Sequence, residues 1–308
     1  MEVIALITQS GKTAFELAFF ILLPLITVMT TLLAISSKLG LLGLLERGAN
    51  RLIGITGLSG LSLVAFIQMN FVSFAAPIGT LKVMDQTGQA DRVFAATLVL
   101  ILSSSQANLL FPLGVYGLDI FTTAIISSAC SITAAIATYH LTGYTALAKS
   151  GPATGAVTPK ETRNLLQIIV ESGNDAFKTV LNTLPLLTVS ILLVALLKHW
   201  GVLAMIIASS KGLLMSLGID PAISLTLLTK YIAGGSASLS PIGQLDDQGL
   251  LTTELLNQHV GLFINSFDLP GIAIMLAATP RVGRVLVYAV PGIVVALMAR
   301  AVLHLVWF

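Results

Sequence analysis

Cysteine is nearly missing from this chain of 308 residues. The one thiol, Cys130, sits among Ser127, Ser128 and Ala129 in an apolar run. No disulfide can form within the chain, and the residue reads as a small packing group. Charge is scarce too: Asp, Glu, Lys and Arg make up 10% of the residues, against roughly 25% in a soluble domain. The four histidines show no metal-ligand spacing. His-Glu-x-x-His, a Gly-x-Ser-x-Gly elbow and a Walker loop are absent. These absences argue against an enzyme, a bound metal, a cofactor or an ATP-driven motor, so no catalytic residue is expected. The net charge of +2 arises at segment ends and gives no sign of nucleic-acid binding.

Apolar sequence fills the space that charge leaves. Hydrophobic residues make up 56% of the chain, and the mean hydropathy is +0.95. Charge-free runs span 17–37, 52–81, 93–118, 120–148 and 179–197. Each is near or above the roughly 20 residues needed to cross a bilayer as a helix. The first apolar segment, from about Thr13, lacks a basic region before it and a small-residue cleavage site after it, and is expected to be a retained helix. Strand-like alternation is absent. The expectation is an all-α integral membrane protein with about eight to ten membrane segments, its partners being the lipid bilayer and a small solute, with self-association left open.

The sequence also echoes itself. Leu23-Pro24-Leu25-Ile26-Thr27-Val28 returns as Leu184-Pro185-Leu186-Leu187-Thr188-Val189, and Gly40 and Gly57 return as Gly201 and Gly218. Pro77-Ile78-Gly79 returns as Pro241-Ile242-Gly243, with a three-residue insertion before it. These ordered matches predict two homologous repeats, 1–145 and 176–308, joined by a polar linker with an amphipathic helix over 146–175. Short stretches at 40–57 and 201–217 are expected to be interfacial or re-entrant. Counted as membrane passes, they give an odd number per repeat, which implies inverted halves.

Within each repeat one apolar segment is poorly built as a simple spanning helix. The stretch 229–243 holds Gly234-Gly235, three serines and Pro241. Irregular backbone at membrane depth survives only where protein or a water-filled cavity covers it, and such breaks form sites in secondary transporters. Lys230 is the only charge in 221–245, and Asp268 is the only acidic or basic residue besides His259 in 255–279. Charges stranded in apolar segments are candidates for function. Aligning the halves on their prolines sets Phe66 opposite Lys230 and Leu110 opposite Asp268. The candidate solute-binding residues are Gln68, Asn70, Ser73, Gln106, Asn108, Lys230, Ser236, Ser238, Ser240, Asn265 and Asp268. Their amides, hydroxyls and charges can replace a solute's hydration shell. They could equally hold helices together, with Lys230 and Asp268 forming a structural bridge.

The Leu-Pro-Leu span, the Gly-rich short helix, the Ser/Gly-rich segment ending in Pro-Ile-Gly and the Asn-bearing segment, all duplicated, resemble the nucleoside-recognition, or Gate, family. That family includes spore maturation proteins A and B, and related domains occur in ferrous iron transporter B and concentrative nucleoside transporters. The resemblance implies an inner-membrane, multi-pass protein with two Gate repeats. Gate segments of the iron transporter carry cysteine, whereas 68–79 and 230–243 here have none, which argues against ferrous iron. The expected function is secondary transport of a small polar solute (nucleoside, amino acid or organic ion) by alternating access, coupled to sodium or protons. The alternative is a membrane scaffold or accessory subunit that transports nothing.

Overall fold

The computed structural model describes residues 2–39, 56–72, 74–144, 164–202 and 219–308, together with single positions between 205 and 216. Every regular element among the described residues is a helix. The chain opens with α1 (Glu2–Glu16), which passes through a π turn (Leu17–Leu22) into α2 (Leu23–Lys38). The helix therefore begins well before Thr13. Pro24 accounts for the π turn: it has no N–H, and its ring crowds the carbonyl four residues back. The ladder widens, and the Leu23 N–H bonds to the Ala18 carbonyl.

Next come α3 (Gly60–Phe71), α4 (Pro77–Gln86), α5 (Asp91–Ser103), α6 (Ala107–Leu113) and α7 (Ile120–Thr142). After the linker follow α8 (Leu165–His199), α9 (Ser224–Ala233), α10 (Leu239–Asp247), α11 (Thr253–Phe263), α12 (Leu269–Ala278) and α13 (Pro280–Trp307). The succession of long helix, broken pair, broken pair and long helix thus occurs twice.

Helix ends set its register. Val72 and Gly234 close α3 and α9, Ala76 and Ser238 precede α4 and α10, Ala90 and Thr252 precede α5 and α11, and Gln106 and Asp268 precede α6 and α12. Each pair is 162 residues apart (234 − 72, for example). The expected three-residue insertion is therefore not needed. Pro77 is the first residue of α4, where its missing N–H is harmless, whereas Pro241 lies two residues inside α10. Gln68, not Phe66, stands opposite Lys230, and Gln106, not Leu110, stands opposite Asp268.

Two further expectations change. The run 52–81 is not one span, because the chain breaks between Phe71 and Pro77; the run 93–118 breaks at 104–106. The boundary between 175 and 176 falls inside α8, which runs unbroken from Leu165 past Pro185. Residues 145–163, 40–55 and most of 203–218 lie outside the described residues. Among the described residues, three helical stretches are long and apolar enough to cross a membrane: Asp91–Tyr116, Ile120–Thr142 and Pro280–Trp307.

Apolar faces meet in two clusters. The larger joins α3, α4 and α5 to Ile274 and Met275 of α12 and to α13. The smaller joins Leu109, Leu110 and Leu113 of α6 to Ile223, Ile242, Leu256 and Phe263 from the second half. Each helix that follows a polar break therefore packs into the other half of the chain. From Phe94 to Ser103 every residue of α5 is buried, as its all-round apolar surface requires, between α3, α7 and α13.

Candidate functional site

The two polar breaks are where the halves meet. Helix α5 stops at Ser103 because Ser104 and Gln106 take extended backbone, and α6 restarts after Gln106. Helix α11 stops at Phe263, and α12 restarts after the extended Asp268. The freed backbone groups find partners in each other: the Gln106 N–H donates to the Ile264 carbonyl at 3.0 Å, and the Ser266 N–H to the Leu102 carbonyl at 3.1 Å. The Gln106 side chain adds a bond from Nε2 to the Asn265 carbonyl. Each break thus supplies the partners that water would otherwise supply, which is what makes non-helical backbone tolerable at depth.

The α9–α10 connection presses on this crossing. Gly234 has φ 93° and ψ 169°, a region open essentially to glycine alone. Gly235 lies so close to Gln106 that a Cβ there would stand 2.5 Å from Nε2. Lys230, in the last turn of α9, reaches Asp268, the residue capping α12, and the two form an ion pair with side-chain exposures of 0% and 4%. Asp268 also accepts from the Gly271 N–H at 2.7 Å. A cation at a helix C-terminus and an anion at a helix N-terminus are each favoured by the helix dipole, so the pair does not rely on mutual attraction alone.

Around the pair, Asn265 is fully buried. Its Nδ2 donates to the Leu262 carbonyl at 3.0 Å and lies 3.4 Å from the Tyr231 hydroxyl, and its Oδ1 accepts from the Phe267 N–H at 2.9 Å. Asn108 donates from Nδ2 to the hydroxyl of the exposed Ser236 at 2.9 Å, while its Oδ1 is buried without a partner among the described residues. Asn70 joins through Ser105, whose hydroxyl donates to the Asn70 Oδ1 at 2.5 Å.

Gln106, Asn108, Lys230, Ser236, Asn265 and Asp268 are therefore brought together. Two other candidates serve local geometry instead. Gln68 accepts from the Thr80 hydroxyl at 2.6 Å and ties α3 to α4, and Ser238 donates to the Gly235 carbonyl at 2.6 Å inside its own turn. Ser73 lies outside the described residues, and so does the side chain of Ser240.

One charged residue escaped the sequence reading. Arg300 of α13 is fully buried and donates from Nε to the Gly261 carbonyl at 2.7 Å and from Nη1 to the Ser103 carbonyl at 2.6 Å. It grips the ends of both helices that run into the breaks. The signal that found Lys230 would have found it, because Arg300 is the only Asp, Glu, Lys or Arg in 285–308. Among the described residues no group of three His, Cys, Asp or Glu side chains converges as a metal site would require.

No protein-family model matches the chain, and a search of curated proteins gives no match. Solved structures share its fold, two of CNTnw among them. A doubly substituted CNTnw in an outward-facing state superposes with a TM-score of 0.62 at 15% identity, covering 95% of this chain and 76% of that one. A singly substituted CNTnw in its second intermediate state gives 0.56 at 16% identity, covering 92% and 74%.

Proposed function

We propose that this chain is a secondary transporter that binds a small polar solute where its two broken helices cross, and moves it by alternating access. The observation that carries the reading is the cluster at that crossing. A buried Lys230–Asp268 pair, the Oδ1 of Asn108, unpartnered among the described residues, and the hydroxyl of the exposed Ser236 lie together where two helices are interrupted. A protein built only to span a membrane has no need to interrupt four helices and gather donors, acceptors and charges at the gaps.

The fold shared with CNTnw, a concentrative nucleoside transporter captured in different states, supports transport as the class of function. The solute would be a nucleoside, amino acid or organic ion, coupled to sodium or protons. The recurring helix order supports two repeats, which we read as inverted and Gate-like, in a multi-pass protein of the inner membrane.

The test is thermal unfolding of the purified protein in detergent against nucleosides, amino acids, organic anions and cations at several sodium concentrations. Solute at 100 times its dissociation constant adds about 2.7 kcal/mol, enough to move the midpoint visibly. We expect one class to stabilise the wild type and lose its effect in Asn108→Ala. If no class shifts the midpoint and proteoliposomes take up none of them, the transporter reading fails and the scaffold alternative takes its place.

A further inference from the structure

A second set of buried polar groups lies between α7, α11 and α13, away from the Lys230–Asp268 pair. His304 stands one turn beyond Arg300 on α13 and is fully buried. Its Nδ1 lies 2.8 Å from the Asn257 carbonyl. A carbonyl can only accept, so in the neutral ring Nδ1 carries the hydrogen and Nε2 presents a bare lone pair. Among the described residues that Nε2 has no partner, nor do the buried Arg300 Nη2 and the Thr123 hydroxyl of α7. Three orphaned polar atoms on facing helices mark a place for exchangeable water rather than a sealed core.

Solvent comes close to this place. A cavity of about 530 Å³ is lined by Gly117, Asp119, Thr253, Glu254, Asn257 and Phe308. Two of its walls touch His304 directly: the Asn257 carbonyl and the Phe308 ring, which stacks on the imidazole with centroids 5.7 Å apart. On the other side, Arg300 holds the last turns of α5 and α11. His304 thus stands between an open cavity and the residue that fastens both broken helices.

We propose that His304 accepts the proton that couples solvent to the helix crossing, acting through Arg300 as a positioning residue; this rests on the transporter reading and names its coupling ion. A proton from bulk water forms a bond to Nε2, and the ring becomes a cation. It then lies one turn from the guanidinium on the same helix face, where like charges repel, and strongly so away from water. The charges bearing on the ring are Arg300 from its own helix and Asp119 from the start of α7, with Glu254 of α11 in the cavity wall. Asp119 draws the proton in. Arg300 answers it by loosening from the Ser103 and Gly261 carbonyls, and the crossing at Gln106 and Ile264 opens.

The test reads accessibility at the crossing without any solute. Ser236→Cys reports the crossing, and Tyr144→Cys, at a site 92% exposed, reports the thiol chemistry itself, both in a Cys130→Ala background in detergent. The ratio of their N-ethylmaleimide labelling rates is followed between about pH 4 and 8, a window carried below that of a free imidazole because burial disfavours a charged ring. We expect it to change about tenfold, an ordinary coupling between two sites, and to become flat in His304→Gln. Should that variant fail to fold, Arg300→Lys leaves His304 in place and is expected to flatten the ratio as well. A flat ratio in the His304 protein, or a pH dependence that survives both variants, overturns the proposal. A ratio that titrates while no solute is bound or taken up would instead sink transport and leave the proton switch standing.

Discussion

Gln106 and Asp268 hold the same position in the two halves of the chain: each precedes the helix that restarts after a break, 162 residues apart (268 − 106). Their chemistry differs. The carboxylate caps its own helix through the Gly271 N–H and pairs with Lys230, whereas the amide leaves its helix uncapped and reaches across to the Asn265 carbonyl. Lys230 in turn stands opposite Gln68, another amide. The first half therefore carries two neutral amides where the second carries a cation and an anion, and the binding site we propose is polar on one side and charged on the other.

Breaking that pair from one side should cost more than removing both charges. Lys230→Met alone is expected to lower stability by about 3–5 kcal/mol, because it leaves a buried carboxylate uncompensated. Lys230→Met combined with Asp268→Asn should recover much of the loss. Unfolding midpoints of the wild type and the two variants in detergent decide it; a double variant no better than the single would show the charges to be independent.

Glycine at 234 is required by backbone shape. With φ at 93° and ψ at 169°, Gly234→Ala should destabilise by about 1–3 kcal/mol although it removes no contact. Gly249→Ala, at φ 66° in an open turn with no described residue near its Cβ, should cost less. Equal losses in a midpoint comparison would contradict the assignment.

Arg300→Met should leave the Ser103 and Gly261 carbonyls without their side-chain donor, at about 1–3 kcal/mol for each group left unsatisfied. Hydrogen exchange should rise in the last turns of α5 and α11 together. Exchange that rises in only one of them would mean that Arg300 does not join the two.

Asp119 gives a pH dependence outside the spanning segments. Hydrogen bonds from the Thr122 side chain and backbone hold its carboxyl below the usual value. A group whose folded pKa is depressed contributes stability above its unfolded pKa, about 3.9, and loses it as pH falls through the lower folded value. Amide protection at the start of α7, corrected for the intrinsic pH dependence of exchange, should therefore fall below about pH 4, and this acid sensitivity should vanish in Asp119→Asn.

Composition alone decided the solvent in which this chain folds. One charge in ten residues and long uncharged runs leave helices in a bilayer as the solution, and stranded charges pointed to Lys230 and Asp268, because desolvation makes an isolated buried charge too costly to keep without use or partner. Glycine, serine and proline similarly marked the second break region, since their backbone preferences are local. Tertiary structure decided what is not local. It set the register between the halves, where prolines misled because a proline is tolerated both at the start of α4 and inside α10. It gave Gln68 and Ser238 local bonds, made Asn108 and Ser236 neighbours, and placed Arg300 across two helix ends. Each of these depends on which segments cross in space, and hydrogen bonds spanning 128 to 197 residues leave no mark on the local pattern of the chain.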